Sequence, residues 1–239
     1  MTLSFSDVEA ALAGAHHIAS DRRSAFASRL KNFQRMGFPP GINTGRGRAA
    51  TYESHHLFLF GLVLELNQAG LSPERAKDVI EDDWFAVGQA ASMAAQRYEE
   101  SEISLPIFYY FDPSALSDLM KSNPTGDRAS ASFFYAGLGQ LKENITDWSK
   151  GGMRRLTIIN ISAVLSSITV FAEFSETDAR AFYRDIEAWG DSVAYPDRAE
   201  DEFKPEALKK PAPSGPPARS SGGSLFERMA QITVSSSDD

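Results

Sequence analysis

Ser28–Ile80, SRLKNFQRMGFPPGINTGRGRAATYESHHLFLFGLVLELNQAGLSPERAKDVI, decides how the first third of the chain is read. It opens on a basic helix that Gly37 and the run Pro39-Pro40-Gly41 bring to a stop, because proline removes a donor and glycine accepts a left-handed turn. Thr44-Gly45-Arg46-Gly47-Arg48 follows as a glycine-and-arginine loop. Its glycines permit a tight β-turn, and Tyr52 is placed to anchor the returning strand. A helix from about Glu53 to Gln68 is apolar on nearly every side, which implies burial. Gly70 stops it, and Ser72-Pro73-Glu74 begins another helix with a cap residue and a first-turn proline.

Toward the N-terminus, Ser6 with Glu9 three residues on has the spacing of a capping box, and Val8, Ala11 and Leu12 make a short apolar face. Asp21 is expected to cap the basic helix. There Phe26, Leu30 and Phe33 recur at i, i+4 and i+7, while Arg22, Arg29 and Lys31 fall away from that stripe.

Charge sharpens the contrast between this region and the rest. The 239-residue chain carries a formal net charge of −8. Residues 1–52 nevertheless hold seven Lys/Arg (Arg22, Arg23, Arg29, Lys31, Arg35, Arg46, Arg48) against three acids, whereas 53–100 hold three bases against nine acids. A phosphate-contacting end joined to a non-contacting remainder would have this asymmetry, as would an ordinary fluctuation of solvated surface charge.

Beyond Trp84–Glu100, an alanine-rich helix, the pattern changes. Ile103–Phe111 (ISLPIFYYF) reads as an aromatic strand, with Pro106 marking an edge or a bulge. Ala131–Ala136 and Arg155–Ile159 read as two more strands. Asn160 or Ser162 then caps a helix whose face is Ile161, Leu165 and Ile168, and Ser175–Trp189 forms a last helix. Asp197–Ser224 is rich in charge, proline, glycine and serine, too poor in apolar surface to offset the entropy of ordering, so a disordered linker is expected. Leu225, Phe226, Met229 and Ile232 can line a short amphipathic helix at the end, a peptide motif of the helix-in-groove kind or simply a loose tail.

The pieces Arg29-Leu30-Lys31-Asn32-Phe33, Arg35-Met36-Gly37-Phe38-Pro39-Pro40, Gly45-Arg46-Gly47-Arg48 to Tyr52, and Gly70-Leu71-Ser72-Pro73-Glu74 resemble, in order and spacing, the DNA-binding module of the MerR family of transcription regulators. The resemblance covers the N-terminal third. It implies a winged helix-turn-helix in which Arg22, Arg23, Arg29, Lys31 and Arg35 lie on or beside the helix approaching the major groove, with Arg46, Arg48 and Tyr52 in the wing. Arginine forks match phosphate oxygens and guanine edges, and a glycine-rich backbone can approach phosphate closely. The segment Gly14–Ser20, with His16-His17, makes the first turn longer than that family's, and no long coiled-coil helix follows the module.

The fold class expected is therefore α+β: an all-α winged helix-turn-helix module at 1–83, a connecting helix at 84–104, an α+β ligand-binding or self-association domain at 105–192, and a disordered tail at 193–239. The function expected is a DNA-binding transcription regulator acting on double-stranded DNA as a homodimer, with RNA polymerase or another protein as a further partner through the tail. A protein-interaction or ligand-binding protein using a winged helix as scaffold, and an excisionase-like architectural DNA-binding factor, stand as alternatives.

Other classes have less to recommend them. No phosphate-binding P-loop, Gly-x-Ser-x-Gly or His-Glu-x-x-His motif occurs, so no enzyme activity and no cofactor are expected. There is no cysteine, which excludes disulfides and thiolate metal sites and agrees with a reducing cytoplasm. The histidines form two adjacent pairs, His16-His17 and His55-His56, and neighbours on a helix diverge by about 100°, so a metal site is not expected. One of His55 and His56 is expected to pack or cap at the start of the buried helix. The N-terminus lacks the basic start and apolar core of a secretory signal, and the apolar runs at 57–66 and 156–172 are too short or too interrupted to span a bilayer, so a cytoplasmic protein with no membrane partner is expected.

Overall fold

The computed structural model of the protein describes residues 1–42, 50–99, 106–111, 134–150 and 155–196. Strand β1 (Thr2–Leu3) leads into α1 (Phe5–Ala15), a 3-10 turn (Ser20–Arg22) and α2 (Arg23–Arg35). Strand β2 (Tyr52–Glu53), α3 (Ser54–Gln68), α4 (Pro73–Asp82) and α5 (Trp84–Glu99) follow. The remaining elements are β3 (Ile107–Phe111), β4 (Phe134–Gly137), α6 (Leu138–Lys150), β5 (Thr157–Asn160), α7 (Ile161–Phe171) and α8 (Glu176–Ala194). The class is α+β, mostly helical with two small antiparallel sheets.

Helix α3 is the axis of the core. Leu57–Leu64 and Leu66 are all buried, as the all-round apolar pattern requires, and α1, α4, α7 and α8 pack against it. Each fully buried Leu or Phe contributes about 1.5–3 kcal/mol relative to exposure. Gly70 ends the helix at φ +97°, where a side chain would be strained, and Ser72 then caps α4 by accepting from Arg75 N–H, with Pro73 in the first turn.

A single apolar cluster runs from Val8 through α2, α3 and α5 to Ile186. The boundaries expected at 83 and 105 are thus not breaks in the core, since α7 and α8 close over α1 and α3. Helix α8 lies along α5, and the two approach at Gly88 and Gly190. A Cβ on Gly190 would stand 2.5 Å from the Gly88 carbonyl oxygen, so only a bare α-carbon permits this crossing. Ser92 Oγ donates to Asp191 Oδ1 (2.6 Å) beside it.

The second sheet has the order β4-β3-β5, both pairings antiparallel, with Tyr109 opposite Tyr135 on one side and Ile159 on the other. Ile107, Tyr109 and Phe111 join the main core, whereas Tyr110 joins a smaller cluster with Ala136 and Leu141, against which Trp148 and Leu156 pack. Helix α6 covers that second face, the Trp148 ring standing 5.0 Å from Tyr110.

Several sequence expectations change here. The first helix is capped by Ser4 with Asp7, not Ser6 with Glu9: β1 ends at Leu3, and the helix begins at once behind Ser4, whose ψ of 167° is extended. Asp21 caps nothing, because the Ser20–Arg22 turn feeds α2 without an extended residue at which a cap can form. Pro106 marks neither edge nor bulge. It stands just ahead of β3, the central strand, where its missing N–H costs no ladder bond. Asn160, not Ser162, caps α7 by accepting from Ala163 N–H (3.0 Å), and Ser162 Oγ instead accepts from Ile107 N–H. Helix α6 had no expected counterpart. Residues 103–105 and 131–133, the early parts of the first two expected strands, lie outside the described residues, as do residues 43–49 and, of the expected tail at 193–239, everything from 197 onward.

Candidate nucleic-acid interface

From Arg22 to Tyr52 the chain contains seven cations and no Asp or Glu, within a protein of net charge −8. Helix α2 is the helical part of this acid-free run. Phe26, Leu30 and Phe33 bury one side of it, leaving the other sides to basic and small polar residues.

The structure separates those cations into groups. Arg23 forks onto Glu9 of α1, Nε to Oε1 at 2.6 Å and Nη2 to Oε2 at 2.7 Å. That pairing holds the Glu9 carboxyl below its ordinary range and raises the Arg23 guanidinium, so much of this charge is already spent within the protein. Lys31 Nζ lies 5.3 Å from the centre of the Phe5 ring, a cation–π contact that leaves the ammonium without an acidic partner among the described residues. Among the described residues Arg22 has Asp21 as its ion-pair partner, at 3.3 Å, with both side chains more than 70% exposed, a contact worth little in water. Arg29 and Arg35 are exposed and have no ion-pair partner among the described residues. Arg46 and Arg48 lie outside the described residues.

Tyr52, expected to touch DNA, is 1% exposed and belongs to the core. Its ring packs against Phe5 and Phe60 and its hydroxyl accepts from Gln34 of α2. Burial raises its pKa, with the Gln34 contact acting the other way. The expected anchoring role stands, although the partner of its strand among the described residues is β1: Leu3 pairs with Tyr52 and Thr2 with Glu53.

His56 completes this anchorage. Its Nδ1 accepts from Glu53 N–H (3.0 Å), closing a capping box at the start of α3, and its Nε2 is 3.1 Å from the Pro40 carbonyl oxygen. Only the neutral ring protonated on Nε2 satisfies both contacts, and burial lowers the His56 pKa in the same sense. Phe38, fully buried against Phe33, fixes the chain before Pro40. Both ends of the Gly-Arg loop therefore leave from ordered backbone next to α2. The adjacent-histidine pattern pointed toward a cap but not toward the Pro40 carbonyl, and nothing in the local sequence pointed to Glu9 as the partner of Arg23.

His55 serves packing. His55 stacks on Trp189 (5.4 Å between centroids, 6° between planes), with its pKa lowered to about 4 by burial first and by His56 second. Among the described residues no group of three or more His, Asp or Glu is arranged to hold a metal, and no helix is long and apolar enough to cross a membrane. No protein family, curated protein or solved structure matches the chain.

Proposed function

We propose that the protein is a DNA-binding transcription regulator of MerR-like type, contacting duplex DNA through α2 and the Gly-Arg loop. The observation that carries this reading is the acid-free run Arg22–Tyr52, whose helical part keeps Arg29, Lys31 and Arg35 clear of any described acid. Guanidinium and ammonium groups clustered on one helix without acidic partners repel one another locally, and a polyanion relieves that repulsion. Two helices, α1 and α2, joined by a turn and followed by a loop tied back to the N-terminal strand also support a winged helix-turn-helix. Arg23 acts in this reading as a brace between the two helices, and Tyr52 as the foot of the wing.

A lone module reads few base pairs, so useful specificity favours a homodimer on a two-fold related site. The long face of α5 is occupied by α8 of the same chain, and self-association therefore uses another surface. RNA polymerase or another protein bound through the tail remains part of the proposal.

The test is binding of the full chain to random-sequence and genomic duplex across a salt series. Each phosphate neutralised adds about 0.9 to the slope of log affinity against log salt, so affinity should fall steeply between low and physiological salt. A flat titration, or no binding to either duplex, overturns the reading and favours a protein-binding scaffold.

A further inference from the structure

Beside the turn between α1 and α2 lies an open groove of about 360 Å³, walled by α2 and α3. That size falls within the range of small-molecule sites, which run from about 300 to 1,000 Å³. Its apolar surface comes from Ile18, Phe26 and Leu64, and Arg22 and Arg29 stand on its α2 side. Among the described residues no acidic one is part of its lining. His16 and Gln68 lie across from the arginines, joined to each other at 2.7 Å between Gln68 Nε2 and His16 Nδ1. With the amide donating, the imidazole is neutral, and burial lowers its pKa in agreement. The charge on the groove's own lining is thus that of the two guanidinium groups, with Glu65 standing behind it, 3.4 Å from His16, and exposed Asp21 3.3 Å from Arg22.

We propose that this groove binds a small monocarboxylate with an apolar body, its carboxylate held by Arg22 and Arg29 and its body lying on Phe26, Ile18 and Leu64. The chemistry selects that class. An apolar ligand without charge leaves two cations beside it unmatched, and an inorganic anion leaves the apolar floor in water. A guanidinium fork and a carboxylate make paired, charge-assisted hydrogen bonds. Resting on the DNA-binding reading, the inference goes one step further: Arg22 and Arg29 serve both partners, so the ligand and the duplex exclude each other. The groove would then be an effector site within the DNA-reading helix itself.

The experiment uses 1-naphthoate as the probe, with 1-naphthalenemethanol and inorganic phosphate as the uncharged and the purely ionic controls, titrated into the full chain. Saturable naphthoate binding is expected, with both controls at least tenfold weaker. Arg22→Ala and Arg29→Ala should each weaken naphthoate about tenfold, and Ala25→Trp, which fills the groove from α2 while keeping both arginines, should abolish it. All three variants should unfold at the wild-type temperature, since the replaced residues are exposed. Naphthoate should also displace duplex from the wild type. Equal binding of the alcohol, naphthoate affinity indifferent to both arginines, or no saturable binding overturns the site. Arginine-dependent naphthoate binding in a protein that binds no duplex upholds the site and removes the DNA reading instead. Duplex binding untouched by saturating naphthoate removes the shared-arginine claim alone.

Discussion

Helices α2 and α5 differ little in length, yet they deal with their surroundings in opposite ways. Helix α2 buries Phe26, Leu30 and Phe33 and leaves its other sides to Arg23, Arg29, Lys31 and Arg35. Helix α5 carries no charge from Trp84 to Gln96 and spends its alanines and Gly88 on close packing with α8. Large apolar side chains hold α2 by one stripe and leave it free to meet a partner outside. Small side chains let α5 be packed closely by a helix of the same chain around Gly88 and Ser92. Under the proposed function a surface of the first kind serves recognition, and one of the second kind is spent in folding.

Substitutions can break this contrast at either end. The largest effect is expected on the inner stripe of α2: Leu30→Ala, at a site with no exposure, should cost about 2–5 kcal/mol in denaturant unfolding. A loss below about 1 kcal/mol would mean that α2 is not held by that stripe. Gly190→Val in the α5–α8 crossing should cost about 1–3 kcal/mol, at the upper end because the obstructing atom is a backbone carbonyl oxygen that cannot rotate away. His56→Ala leaves Glu53 N–H and the Pro40 carbonyl without their partner and should cost about 1–3 kcal/mol. Proteolysis of the loop at 43–49 should quicken with it, because that side chain ties the two ends together.

Smaller and of opposite sign are two acid titrations. His55 has a folded pKa of about 4 against an ordinary 6.5, so the unfolded chain binds more protons between those values and stability falls as pH drops through the window. Asp83 has a folded pKa of about 6 against 3.8, raised chiefly by burial and also by Asp82 against the opposing hydrogen bond donated by the Tyr109 hydroxyl, so here the folded chain binds more protons and stability rises as pH falls. The two titrations therefore oppose each other as pH falls, while His16 and His56, whose pKa values burial also lowers, add to the loss on the His55 side. His55→Phe should gain stability relative to wild type on acidification, and Asp83→Asn should lose it. Melting curves of the three proteins that move in parallel would contradict both assignments.

The parts of the fold that were legible from sequence are those fixed by local chemistry. Ser72-Pro73 starts α4 as its cap chemistry requires, Gly70 stops α3 in a left-handed turn, and the all-apolar run at 57–66 is buried. Helix α6 was missed because LGQLKENITDWSK shows few apolar residues, and Leu141 and Trp148 have a purpose only once β3 offers a second face to cover. The Ser4 cap was missed because LSFSDVE carries two overlapping capping patterns, and the choice depends on β1 pairing with a strand some fifty residues away. In the candidate site, the basic stretch was visible as composition. Which cations stay available was not, since Glu9, Phe5 and Gln34 act on it from positions 14 to 26 residues distant or through Tyr52.

The central claim is that the outer side of α2 is for a partner and not for folding, and paired measurements on Arg29→Ala/Arg35→Ala test it most directly. Both side chains are exposed, so the melting temperature should match wild type, the stability change staying within about 0.5 kcal/mol. Affinity for duplex DNA should fall for every sequence tried, and the salt slope should drop by about 2, close to one per phosphate contact removed. A double variant that melts early, or one that binds duplex with unchanged affinity and slope, would contradict the account.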